Sequence, residues 1–89
     1  MITVLQAVKA VEDDLLRRGE KYLSIAAPEE VSYQENWLIA KPMTKDLRAI
    51  VFLVRYKIPW VLEYEEITAQ VSAETGEVLA RLGPANYSG

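Results

Sequence analysis

Apolar residues along this chain change period once, from the three-and-four spacing of a helix to the alternation of strands. Val4, Val8, Val11 and Leu15 form an amphipathic stripe, with Leu5, Ala7 and Leu16 beside it. Thr3 followed by Gln6 fits a capping box, and Ile2 is placed as a staple before it. Arg17 and Arg18 oppose the negative end of the helix dipole and Gly19 suits a left-handed C-terminal residue, so the helix is predicted to stop near residue 18. "EKYLSIAAPEE" reads as a short helical turn or irregular link, with Pro28 at its end.

From Val31 the period becomes two. Val31, Tyr33, Trp37 and Ile39 are predicted to face one way and Ser32, Gln34 and Asn36 the other, in a half-buried strand closed by Pro42. After the turn-like "MTKD", "LRAIVFLVRYKI" carries Ile50, Phe52, Val54, Tyr56 and Ile58 on one face and Leu47, Ala49, Val51 and Leu53 on the other. In "VLEYEEITAQVSA" the parity slips between Tyr64 and Ile67, which predicts a β-bulge near Glu65 and Glu66. "EVLARL" is a fourth strand reached through Thr75 and Gly76, and residues 83–89 are a frayed tail. The expected fold class is α+β, an N-terminal helix packed on a four-stranded antiparallel meander, in one domain spanning 1–89. Eighty-nine residues are too few for two cores.

Composition narrows the chemistry. Hydrophobic residues are 51% and charged residues 26%, a globular balance. A net charge of -3 repels phosphate backbones and anionic lipid, so neither nucleic acid nor membrane is an expected partner. The absence of histidine and cysteine removes imidazole bases, thiolates, disulfides and His/Cys metal sites. No catalytic residue, cofactor or metal ligand is assigned, and a non-enzyme is expected. The first positive charge is Lys9 and acids follow by Glu12, without the pattern of a secretory signal. No apolar run reaches the ~18 residues of a membrane span. With Met1 as the natural start, a soluble cytoplasmic protein is expected.

Three acidic motifs have plain structural readings. In "ETGE" the glycine supplies the positive φ of a tight hairpin while Glu74 and Glu77 face water. "EYEE" reads as a solvated strand rather than a carboxylate cluster for acid–base work or Mg²⁺. "VEDDLLRR" reads as a solvated helix face with pairs Asp13–Arg17 and Asp14–Arg18. Lys41, Lys45, Arg48, Arg55 and Lys57 precede an acidic stretch, Glu63 to Glu77, so a hairpin around Pro59 would set bases beside acids.

Two stretches carry family resemblances. "VSAETGEVL", through Ala73 to Leu79, resembles the closing hairpin of PepSY-type domains, and the element order resembles that family and the wider cystatin-like folds. The resemblance implies a non-catalytic binding or inhibitory module, often outside the cytoplasm, a location from which this N-terminus departs. "KIPW" resembles the proline–tryptophan hairpin tip of cystatins, although "QVSAE" does not supply the companion Gln-x-Val-x-Gly loop. Pro59 lacks an amide hydrogen, so a turn or bulge is predicted there.

The second apolar face of the long strand is the feature with most consequence. One helix covers one side of a sheet, so Leu47, Ala49, Val51 and Leu53 need another cover: the segment around Tyr22, Leu23 and Ile25, or a partner. The expected function is a small protein-interaction module that forms a homodimer or grips a protein through this outer face. The alternative is an inhibitor or immunity-type protein acting through its acidic strand and "IPW" tip, with Pro59, Trp60, Glu63 and Glu65 in contact. A carboxylate-based enzyme or small-ligand binder is a third class without a supporting constellation.

Overall fold

The computed structural model describes residues 1–39 and 47–83; the strand end at Pro42, the "MTKD" link and residues 84–89 lie outside that set. One helix packs on a five-stranded antiparallel sheet, an α+β fold.

Helix α1 (Val4–Arg17) starts and stops on the signals in its sequence. Thr3 Oγ1 accepts from the Gln6 amide at 3.1 Å while Gln6 Oε1 accepts from the Thr3 amide at 2.8 Å, closing the box. At the other end Gly19 has φ 66°, its amide donates to the Leu16 carbonyl, and the Glu20 amide donates to the Leu15 carbonyl at 2.9 Å. That is a Schellman closure. Ala7, Val11 and Leu15 turn inward.

The acidic face of α1 differs from the sequence reading at two positions. Asp14 is buried between Arg17 and Arg18, whose Nε lies 3.3 Å away, and Asp13 pairs with Lys9 at 3.4 Å instead of Arg17. A buried carboxylate is tolerated because both cations reach it. Arg18 also pairs with Glu20, which Arg81 approaches at 3.4 Å, so this chain of charges ties the helix end to the last strand.

Strands β1 (Ser24–Ile25) and β2 (Ser32–Leu38) lie along the same edge of β3 (Arg48–Trp60), with a 3-10 turn over Pro28–Glu30 between them. β4 (Glu63–Ser72) pairs with the other edge of β3, and β5 (Val78–Leu82) closes the sheet beside β4. β2 to β5 form the expected meander. β1 is the additional strand, held by the Leu23 amide on the Lys57 carbonyl and the Ala26 amide on that of Arg55. Pro28 begins the turn rather than ending a link, as its fixed φ suits a first helical position.

Phe52, Val54, Tyr56 and Ile58 of β3 and Ile67, Ala69 and Val71 of β4 meet α1 in the core. Two parity expectations fail. A bulge between Gln34 and Trp37, with Asn36 at φ 53°, places Tyr33 on the helix side opposite Phe52 and Trp37 on the outer side opposite Ala49. Asparagine tolerates that conformation. The bulge expected near Glu65 is absent: β3 and β4 pair without interruption from Trp60↔Glu63 to Val51↔Ser72, and Tyr64 simply belongs to the outer face.

Pro59 stays inside β3 opposite Tyr64 instead of making a turn. Since the Arg55 and Lys57 carbonyls point at β1, the odd-numbered residues of β3 turn their backbone polar groups to that edge. Pro59 has the same parity but lies beyond Leu23, so its missing N–H removes no bond from the ladder.

Candidate functional site at the hairpin tip

The outer face expected to dock a partner is closed at its centre and partly open around it. Val51 is 0% exposed, Gln70 and Ser72 on the same face are buried, and Ile39 opposite Leu47 is buried as well. Gln34 and Ser72 lie across the two neighbouring strands from Val51, and the Asn36 bulge turns Trp37 onto this side. Ala49 and Leu53 are half-buried and Leu47 stands at the margin of exposure. The central position of the expected interface is therefore not available in the folded chain.

The other group of predicted residues stands in the open. β1 makes its last contact with β3 at Lys57, and β5 ends opposite Thr68 of β4, so residues 58–66 form a two-stranded arm that has no strand neighbour among the described residues. Its turn is Val61–Leu62, between the paired Trp60 and Glu63. Trp60 is 59% exposed, Val61 78%, Leu62 100% and Tyr64 52%. Pro59 and Glu63 are exposed, and Glu65 is half-buried opposite Ile58.

Leu62 has φ 65°, in the left-handed region where glycine and asparagine belong and a branched side chain is crowded. Nothing packs on it in return. The tip thus combines an unfavourable backbone conformation with a fully solvated leucine.

Sequence reasoning found Trp60 and missed Val61, Leu62 and Tyr64. "WVLE" contains no glycine, asparagine or aspartate, so no turn signal marks it, and proline drew the turn two residues too early. The available signal was an unbroken apolar run where two strands must reverse.

Charges on the outer side of the arm are matched. Lys57 Nζ lies 4.4 Å from the centre of the Tyr64 ring, and Arg55 is 3.9 Å from Glu66 across the strands. This agrees with the expected pairing of bases with acids, although both ion-pair partners are half-exposed.

Other chemistry-bearing residues have structural roles. At "ETGE", Gly76 takes φ 80°, its amide donates to the Ser72 carbonyl at 2.8 Å, and Ser72 Oγ accepts from the Glu74 and Thr75 amides. A depression of about 340 Å³ beside β1 is lined by Ser24, Glu30, Arg55, Lys57 and Glu66 among others. It holds two cations and two carboxylates, with no imidazole or thiol in the sequence to act beside them. Among the described residues no three acidic side chains gather as a metal site, and no helix is long and apolar enough to cross a membrane. No protein-family model, curated protein or solved structure matches this chain, so the reading of the arm rests on its own geometry.

Proposed function

We propose that this chain is a small non-enzymatic binding module that engages a protein partner through the β3–β4 arm, as an inhibitor or immunity-type protein engages its target. The carrying observation is the exposure of Trp60, Val61, Leu62 and Tyr64 together at one tip. Burying each such side chain contributes about 1.5 to 3 kcal/mol, enough for a few of them to anchor an interface. In the free protein that contribution is unused.

The backbone supports the same reading. Left-handed geometry costs a non-glycine residue about 1 to 2 kcal/mol, and Leu62 gains no packing against the fold in exchange. Strain held at a solvated position points to selection for what that side chain contacts outside the chain. The implied inhibitory character of the PepSY-like and cystatin-like resemblances is compatible with this role, and the contact surface moves from the sheet's outer face to the tip.

Leu62→Gly tests the proposal, because glycine suits φ 65° and removes only the apex. Wild type and Leu62→Gly are compared as immobilised baits in extract of the source cells. A partner held by the first and lost from the second supports the reading; one held equally by both counts against it.

A further inference from the structure

The arm has two unlike faces, which residue parity makes visible. Pro59, Lys57, Tyr64 and Glu66 lie on the outer face, where Lys57 sits over the Tyr64 ring and Arg55 faces Glu66. Ile58, Trp60, Glu63 and Glu65 lie on the helix-side face, which continues the core surface of β3 and β4 past the end of their neighbours. Ile58 is buried at its base, and Trp60 is open at its end. Among the described residues neither Glu63 nor Glu65 has an ion-pair partner.

Resting on the reading of the arm as a docking element, we infer that its partner is a protein with an apolar cleft rimmed by lysine or arginine. The cleft receives Trp60 and Leu62, and its rim meets Glu63 and Glu65. Charge decides among occupants. A second copy of this arm would set the same two carboxylates against each other, and an anionic lipid surface would repel them while the net charge is -3. A cationic rim alone gains from both groups, because the helix-side face offers no base of its own among residues 58–66. The outer face, already compensated, makes no such demand.

The test places a photoreactive residue at the turn without disturbing Leu62: Val61→benzoylphenylalanine in the full chain, irradiated in extract of the source cells, with crosslinked peptides mapped by mass spectrometry. Three companions carry the same label: Glu63→Lys with Glu65→Lys, Glu63→Gln with Glu65→Gln, and Lys57→Gln. Thermal melts establish that each is folded. The expected result is a crosslink to an apolar segment of one protein with lysine or arginine alongside. Its yield falls about tenfold or more on double reversal, less on neutralisation, and stays within about twofold for Lys57→Gln. Raising salt to about 0.5 M, where the screening length is only a few ångströms, weakens it in the same order.

A crosslink undiminished by the double reversal overturns the cationic rim and leaves the docking arm standing. So does a mapped site without basic residues. Crosslinking to a second copy, or co-sedimentation of the wild type with phosphatidylcholine or phosphatidylserine vesicles, replaces the protein cleft with another occupant. If the label at position 61 captures nothing that Leu62→Gly abolishes, the docking reading itself falls, and this inference with it.

Discussion

From Val51 to Tyr56, β3 has β4 on one edge, β2 and β1 on the other, and α1 over one face; from Ile58 to Trp60 it has β4 alone among the described residues. The ladder and its register run through both halves unchanged. Yet Val51, Val54 and Tyr56 are closed to solvent while Trp60 and Leu62 are open. Exposure here is decided by where the neighbouring elements stop, not by the strand's own alternation. An apolar residue that period two assigns to a face is in the core only if something else lies over that stretch.

Substitutions should divide along that line. Val51→Asp sets a charge where solvent does not reach, so it should cost about 4 kcal/mol or more, much of a small domain's stability. Urea unfolding measures this; a folded variant with an unchanged midpoint would mean that the outer face is open after all. Leu15→Ala, which empties the helix side of the same sheet, should cost about 2 to 5 kcal/mol by the same measurement.

The arm should respond in the opposite sense. Leu62→Gly relieves the left-handed backbone but adds chain entropy to the unfolded state, so a net gain of about 0.5 to 1 kcal/mol is expected, a rise of a few degrees in Tm. A fall in Tm would show that the Leu62 side chain supports the fold, and the contrast between the two halves would lose its meaning. Stabilisation together with loss of partner binding would mark the tip as functional.

The smallest effect concerns pH. Tyr33, packed at 5.5 Å from the Phe52 ring, has its hydroxyl held above the ordinary value of 10.0, first by desolvation and then by the Glu35 carboxylate, to which it donates at 3.3 Å. The folded state therefore keeps this proton longer than the unfolded one. The associated stability is complete below pH 10 and is lost as pH rises through the folded-state value. Tyr33→Phe should flatten the high-pH limb of a stability profile, and an unaltered limb would assign that limb to other groups.

Much of the architecture was legible because its signals are local and unopposed. Thr3, Gln6 and Gly19 set the bounds of α1, alternation gave the core face of β3, and Gly76 marked its turn. What stayed hidden depends on partners distant in sequence. β1 is only two residues long and exists because the Lys57 and Arg55 carbonyls need donors. The separation of Tyr33 and Trp37 onto opposite faces follows from one extra residue whose only trace is Asn36. Closure over Val51 depends on tertiary cover that periodicity does not describe. At the candidate site Trp60, Glu63 and Glu65 were visible as types, whereas Val61 and Leu62 were not, because the turn is built from residues that turns avoid. Where local preference and observed conformation disagree, the disagreement is itself the pointer to function.

Pro59 has one further consequence. An isolated ribbon with open sides is a template on which copies of the same ribbon can stack into filaments. Along the β3 side of the arm, Pro59 presents a carbonyl and no donor, so an incoming strand meets a gap in the pattern it would need to copy. A strand adding along that edge would forgo one hydrogen bond at Pro59, so the residue that resembled a turn signal makes such growth less favourable on that side.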